Sequence, residues 1–253
     1  EPTPPAELVA IFPSADQLPE NLLKFYLHFS RPMSRGEAYE NIRLLDENGA
    51  AVPLPFLELG EELWDGGQMR FTLFFDPGRV KRGLMPHQEE GRALEKGKRY
   101  TLEILSKWKD GERRELEGGF RKKFEVVDPD YDQPRVDSWI VTTPLAETMD
   151  PVVIALGESL DHALLQRLIW IEDGGGDRVD GAIEVGQHET SWSWNPEMPW
   201  REGEYSVVVD PVLEDLAGNS PGRLFEETGG SSLPVETGLE KLIRREFRIE
   251  GSR

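Results

Sequence analysis

The strongest constraint on the fold is an internal repeat of long period. Strand-like segments of the first half recur in the same order in the second half. Tyr100 matches Tyr205 and Asp110 matches Asp215, both at one constant offset. Self-similarity over such a distance is the signature of duplicated structural units. The repeat therefore predicts two copies of one domain arranged in tandem.

The predicted copies differ by insertions and are joined by a short segment. We place the first domain at residues 1–127, a linker at 128–137 and the second domain at 138–253. Both lengths lie in the ordinary range for single domains. The first copy carries an insertion at 54–97 and the second one at 221–241, and we expect the second insertion to form a long loop.

The side-chain pattern within each copy predicts β-strands. Tyr100, Leu102 and Ile104 alternate with polar residues, which places one set in a core and the other towards water. The runs are short and are separated by Gly, Pro, Asn and Asp. This arrangement favours two-sheet sandwiches over alternating strands and helices. Two short helical segments are also predicted, at 35–40 and 161–168.

Composition argues against several classes of function. The net charge of −19 opposes binding to nucleic-acid phosphates and to anionic membrane surfaces. The chain has no Cys, which removes disulfides, thiolate catalysis and Cys-ligated zinc. No apolar run reaches the roughly 20 residues that a membrane-spanning helix needs.

The absence of Cys and a Pro-rich start without Met favour a location outside the cytoplasm. The protein would be periplasmic, surface-bound or secreted, either free or anchored through a segment preceding Glu1. A cleaved tag is the alternative explanation of that start.

One segment also resembles a known family. The run 25–33 ends in Phe-Ser-Arg-Pro-Met and resembles the strand and Phe-Ser-x-Pro-Met signature of bacterial Ig-like domains of the S-layer kind. In that family a Tyr-led strand and an Asp-x-x-Gly-Asn turn follow. Here Tyr205 leads such a strand and residues 215–219 read Asp-Leu-Ala-Gly-Asn, with a looser version beginning at Asp110. The second copy departs from the signature at 157–160, which read Gly-Glu-Ser-Leu.

This resemblance implies a fold and a class of role. The fold class is all-β, with two tandem Ig-like β-sandwich domains, loop insertions and short helical segments. The implied function is an exported, non-enzymatic bacterial module that acts as scaffold, spacer or protein-interaction surface. Its partner would be a protein or a cell-envelope component, and the resemblance implies no catalytic residues.

Tryptophan residues support an alternative function, the binding of carbohydrate or peptide. Trp192 and Trp194 alternate along one strand and are expected in the core. Trp200 lies in a Pro-rich turn, and Trp64 lies in the corresponding region of the first copy. We expect Trp64 and Trp200 to be the candidate ligand-binding residues, with exposed rings on which a ligand could stack.

The predicted linker supplies a candidate metal site. Asp128, Asp130 and Asp132 alternate, and Ca²⁺ takes six to eight oxygen ligands. The segment is not an EF-hand loop, because its twelfth position is Trp139 rather than Glu. A solvated acidic linker explains the same residues without a metal. Calcium is the one cofactor that the sequence suggests.

Catalytic motifs are absent from the sequence. There is no His-Glu-x-x-His pattern for zinc and no Gly-x-Ser-x-Gly elbow for a nucleophilic serine. The many acidic residues are expected to form a solvated surface. A hydrolase with its site in the 54–97 insertion is the third hypothesis, which a deep pocket with converging carboxylates would support.

Overall fold

The structure is a computed structural model that describes residues 3–76, 92–221 and 241–251. Contacts divide the chain into two compact units, Glu1–Asp130 (unit 1) and Tyr131–Arg253 (unit 2). Residues 222–240 of the loop predicted at 221–241 and residues 77–91 of the 54–97 insertion lie outside the described residues. No described helix has the length and apolar character needed to cross a membrane.

The described residues of unit 1 form seven strands in two sheets. One sheet has the order β1-β3-β5 and the other β2-β7-β6-β4, and all neighbouring strands are antiparallel except β2 and β7. The strands are β1 (Leu8–Phe12), β2 (Gln17–Pro19), β3 (Lys24–Phe29), β4 (Ile42–Leu45), β5 (Arg70–Phe74), β6 (Arg99–Ile104) and β7 (Phe120–Val127).

Strand β3 is central to its sheet and is buried along almost its whole length. Phe25 and Phe29 enter a core of aromatic rings, in which Phe29 meets Trp108 edge-on at 5.1 Å between ring centroids. Rings of this size dominate the burial of apolar surface in small cores. Aromatic packing between the two sheets therefore holds unit 1 together.

The described residues of unit 2 also form two sheets, with the orders β11-β12-β9-β8 and β10-β13-β14. A single turn of helix, α1 (His162–Leu165), connects β9 to β10. The strands are β8 (Ile140–Thr142), β9 (Val152–Ala155), β10 (Ile169–Asp173), β11 (Gly181–Val185), β12 (Ser191–Pro196), β13 (Gly203–Val209) and β14 (Ile243–Ile249).

The order of strands in unit 2 is that of an immunoglobulin constant-type sandwich. Its first, second, fourth and fifth strands share one sheet, and its third, sixth and seventh share the other. In unit 1, β4, β6 and β7 likewise lie side by side in one sheet, as β10, β13 and β14 do in unit 2. The predicted all-β, Ig-like sandwich fold is therefore confirmed.

The core of unit 2 is built around stacked tryptophans. The rings of Trp192 and Trp194 stack at 5.7 Å, with 0% and 3% of each residue exposed. The indole N–H of Trp192 donates to the carbonyl of Leu165 at 3.1 Å. The core position predicted for both residues is confirmed, because alternate residues of a strand share one face.

The two predicted helical segments have different outcomes. The helix predicted at 161–168 is present as the shorter α1, and Asp161 caps it: its Oδ1 accepts the backbone N–H of Leu164 at 2.9 Å. The helix expected at 35–40 is wrong, because the segment forms bends and a turn. Gly36 has a φ of +85° there, a left-handed conformation that interrupts helical geometry.

Candidate functional site

A buried aspartate organises a five-residue turn in unit 2. Asp215 is 1% exposed, and its Oδ1 accepts the backbone N–H groups of Ala217 at 2.7 Å and Asn219 at 2.9 Å. Its Oδ2 accepts the side-chain amide of Asn219 at 2.8 Å. Gly218 has a φ of +86°, which glycine adopts without a steric penalty. This carboxylate therefore has a structural role in closing the turn.

The turn in unit 1 repeats this hydrogen-bond pattern. Asp110 is 1% exposed, and its Oδ1 accepts the backbone N–H groups of Glu112 at 2.9 Å and Arg114 at 3.0 Å. The Nε of Arg114 donates to Oδ2 at 2.9 Å, and Arg113 takes the place of Gly218 with a φ of +67°. Burial raises the pKa of Asp110, but the hydrogen bonds from Arg114 and Glu112 outweigh it and hold the pKa below its usual range.

These turns contact matching segments within their own units. Asp110 forms a β-bridge with Met33, and Asp215 forms one with Leu160. Met33 ends the Phe-Ser-Arg-Pro-Met run, and Leu160 ends Gly-Glu-Ser-Leu. The segment that departs from the sequence signature thus occupies the same structural position as the segment that fits it.

A second pair of matched turns follows β4 and β10. The Oδ1 of Asp46 accepts the backbone N–H groups of the second and fourth residues after it, at 2.9 and 2.8 Å. The Oδ1 of Asp173 makes the same two contacts at 2.9 and 3.1 Å. Gly49 and Gly176 have φ values of +81° and +87° in these turns. The two units therefore share the same local turn chemistry at these positions.

Trp64 is half-buried, and its ring packs against the unit 1 core. The ring centroid lies 5.0 Å from that of Phe71 and 5.7 Å from that of Trp108. The indole N–H donates to Glu62 at 2.8 Å, and the other oxygen of Glu62 accepts the backbone N–H of Ala38 at 2.7 Å. Trp64 is therefore part of the packing of unit 1, with its indole N–H already paired.

Trp200 lies in the core of unit 2. It is 3% exposed, its indole N–H donates to the carbonyl of Asp150 at 2.8 Å, and its ring meets Tyr205 edge-on at 5.4 Å. The exposed position expected for Trp200 is wrong. The Pro-rich turn folds back, so that the backbone N–H of Trp200 donates to Thr148 at 3.0 Å and the ring points inward.

The three linker aspartates have different surroundings. The carboxylate of Asp128 is 2.5 Å from the ammonium of Lys96. The backbone of Asp130 exchanges two hydrogen bonds with the side chain of Asn21, at 2.6 and 2.8 Å, and Asp132 is exposed. In the described part of the chain, no group of acidic oxygens within 4.8 Å of one another contains all three. Calcium binding at these residues stays a prediction.

A groove of about 1120 Å³ is lined by residues of β4, β6 and β7, of the turn after β4, and of the segment 11–16. Leu45, Thr101 and Lys123 face one another across β4, β6 and β7 and are part of its lining. Arg99 and Arg121 line it on either side of this row. We name these five residues the basic groove. Neither Trp64 nor Trp200 lines it.

Sequence reasoning missed the basic groove. Its cations alternate with core residues along two strands, a pattern typical of any solvated sheet face. The available signal was the run Arg121-Lys122-Lys123, the densest basic run among the described residues of a strongly acidic chain. Only the pairing of β4, β6 and β7 brings Leu45 and Thr101 beside it.

Comparisons with known proteins give low similarity. No protein-family model matches the chain, and no curated protein sequence matches it. Among solved structures, the S-layer protein rSbsC is 12% identical with a TM-score of 0.33, over 81% of this chain and 24% of that protein. The titin domains z1z2 in complex with telethonin are 12% identical with a TM-score of 0.25, over 100% of both chains. The N-terminal Ig1-2 module of the Drosophila receptor protein tyrosine phosphatase DLAR is 13% identical with a TM-score of 0.26, over 82% of this chain and 91% of that chain. At these values the sheet order of each unit, rather than the similarity, decides the fold.

Proposed function

We propose that the chain is a non-enzymatic interaction module of an exported bacterial protein. In this proposal it consists of two copies of one Ig-like domain, residues 1–127 and 138–253, joined by residues 128–137. It acts as a scaffold or spacer, and it presents a surface to a protein or cell-envelope partner outside the cytoplasm. The matched turns at Asp110 and Asp215 support the duplication, because unrelated sandwiches need not share them.

The observation that carries the proposal is that two buried aspartates and two tryptophans, side chains suited to acid–base chemistry or to ligand stacking, are engaged in turns and cores. In the deeply buried carboxylates of Asp110 and Asp215, Oδ1 accepts backbone N–H groups of the turn, and Oδ2 accepts the side chain of Arg114 or of Asn219. The rings of Trp64 and Trp200 pack into cores. Groups that could serve acid–base chemistry or sugar stacking thus stabilise the fold.

The proposal is tested by separating binding from turnover. The intact chain, immobilised at one end, is exposed to cell-envelope polymers and to envelope protein extracts of a bacterium. We expect saturable, stoichiometric retention of an envelope component and unchanged polymer length. Repeated release of sugar or peptide products by a small amount of the chain would refute the non-enzymatic role.

A further inference from the structure

The four-stranded sheet of unit 2, β11-β12-β9-β8, has an outer face that the strand register defines. Trp192 and Trp194 of β12 face the core, so their strand neighbours point to the opposite side. Residues of the other three strands pair with those neighbours across the sheet. From β8 to β11, the outward residues are Ile140, Thr142, Val153, Ala155, Ser191, Ser193, Asn195, Ala182 and Glu184. We name these residues the neutral face.

The neutral face is uncharged except at one edge. Within these four strands, all of which the structure describes, Glu184 is the one outward residue with a charge, and it lies on the edge strand β11. The outer face of the other sheet of unit 2 instead carries both signs of charge, for example at Glu172, Arg244 and Arg248. Charged residues make up 30% of the chain, so a sheet face that only met water would be expected to carry several.

This face is open to solvent in the described chain. Ile140 is 67% exposed, and Thr142, Ala155 and Ala182 are also exposed. Removing an apolar side chain such as that of Ile140 from water is favourable. An exposed, uncharged sheet with such a residue is therefore suited to contact with another surface.

We propose that the neutral face binds the neutral face of a second copy of this chain. An uncharged face offers no attraction to a charged partner, so its partner is uncharged where the two meet. Every copy of the chain carries such a face. At a net charge of −19, two copies repel each other wherever their acidic surfaces meet, whereas β8, β9 and β12 present no carboxylate on this side. The inference goes beyond the proposed function and does not depend on it.

The side chains of the inner strands allow two sheets to stack closely. Val153 and Ala155 on β9 and Ser191 and Ser193 on β12 are all small or β-branched. Sheets pack face to face at about 10 Å with interdigitating side chains. A two-fold axis parallel to the strands sets β11 of one copy over β8 of the other. The two Glu184 carboxylates then lie at opposite borders of the contact, where water can reach them.

The size of the neutral face predicts a weak dimer. Four strands about 4.8 Å apart, with about 3.3 Å per residue along each, give a face of roughly 300 Å² per copy. A standard stable interface buries about 800 Å² per partner. We therefore expect a dimer that is half formed near about 0.1 mM chain. Chains held side by side on one surface reach such local concentrations, which favours the contact there.

Sedimentation equilibrium of the intact chain, between about 5 µM and about 1 mM, measures the association. We expect reversible dimer formation that strengthens as salt is raised, because salt screens the repulsion between two acidic chains. In NMR spectra of the isotope-labelled chain, the backbone amides of Val153, Ala155 and Ser193 should shift with chain concentration. The amide of Ser206, on the outer face of the other sheet of unit 2, should not shift.

Two identical substitutions locate the interface. Ala155→Glu adds a carboxylate on an inner strand of the neutral face in both copies, so it should weaken dimer formation by about tenfold or more. Ala51→Glu makes the same change at an exposed alanine of unit 1 that lies in a β-bridge, and it should change association by less than about twofold. Both alanines are exposed, so both variants should keep the unfolding temperature of the parent chain. Ile140→Ser adds no charge and should weaken the dimer by about threefold or more through lost apolar contact.

Three results would overturn the inference. The first is a monomer at every concentration, and the second is equal weakening by Ala155→Glu and Ala51→Glu. The third is association that falls as salt is raised, which would identify a contact between opposite charges elsewhere on the chain. Each of these would leave the non-enzymatic role standing, because that role fails only through product turnover.

Discussion

The carboxylate of Asp215 offers the sharpest test of how these sandwiches are held together. In Asp215→Ala, the backbone N–H groups of Ala217 and Asn219 and the side-chain amide of Asn219 lose their acceptors in a buried site. In Asp215→Asn, one oxygen still accepts the two backbone groups, but a new amide donor faces the amide of Asn219. The two substitutions therefore separate the loss of the whole turn from the loss of one contact.

The expected cost follows from the groups left unpaired. A buried donor without an acceptor costs about 1–3 kcal/mol, so Asp215→Ala should lower the free energy of unfolding of unit 2 by about 3–6 kcal/mol once the turn has relaxed. Asp215→Asn should cost about 1–2 kcal/mol. For a unit of this size about 1 kcal/mol lowers the melting temperature by about 4 °C. The Ala variant should thus melt about 12–24 °C lower than the parent.

The matched position in unit 1 is the control. Asp110→Ala also removes the acceptor for two backbone N–H groups, but the side chain of Arg114 is 29% exposed and also contacts Glu112 at 3.2 Å. That guanidinium can turn to water, so we expect a smaller cost of about 2–4 kcal/mol.

Differential scanning calorimetry of the intact chain measures both effects. We expect two unfolding transitions, with Asp215→Ala lowering one and Asp110→Ala lowering the other. The reasoning fails if Asp215→Ala melts within about 2 °C of the parent. It also fails if Asp215→Asn costs as much as Asp215→Ala, because hydrogen-bond acceptance would then not be the property that matters.

Three further predictions concern packing and pH. Gly181→Ala would place a methyl 2.6 Å from the carbonyl of Asn195, and it should lower the free energy of unfolding in urea by about 1–3 kcal/mol. Gly60→Ala is the control: no atom lies within 4 Å of its new methyl, so this variant should change the free energy of unfolding by less than about 0.5 kcal/mol. The pKa of Asp110 is lowered in the folded state, so its contribution to the free energy of unfolding is complete above the usual Asp pKa of about 3.9. This contribution is lost as the pH falls through the lower folded value. Asp110→Asn should therefore flatten the acid unfolding of unit 1 between about pH 5 and pH 2. Burial lowers the pKa of His28, so the contribution of this residue to the free energy of unfolding is complete above about pH 6.5 and declines as the pH falls below it. Proton NMR should find the titration midpoint of the His28 imidazole below 6.5. A midpoint at or above that value would contradict the burial argument.

Much of the fold could be predicted from local pattern. Alternation in β6 and β13 identified strands, and it placed Trp192 and Trp194 in a core, because neighbouring strand residues must face opposite sides. The capping role of Asp161 was also predictable from its position before a helical run. These inferences depend only on residues within one turn or one strand of each other.

The errors have a common physical origin. Trp200 follows a proline in a loop, and nothing local indicates that Thr148 and Asp150, about fifty residues earlier, accept its two N–H groups. The segment at 35–40 has helix-forming residues, but Gly36 is left-handed and the backbone N–H of Ala38 donates to the side chain of Glu62 at 2.7 Å. The burial of Trp200 and this contact of Ala38 both depend on residues that are distant in the sequence.

The amino-acid sequence by itself determined the strands, the all-β class and the acidic turns, because periodicity and turn chemistry act over a few residues. Tertiary structure decided which side chains meet. It buried Trp200, gave Asp110 the guanidinium of Arg114 in place of the amide that Asn219 provides to Asp215, and assembled the basic groove. Such encounters depend on strand pairing between distant segments, and pairing order is a property of the whole domain rather than of any window along its chain.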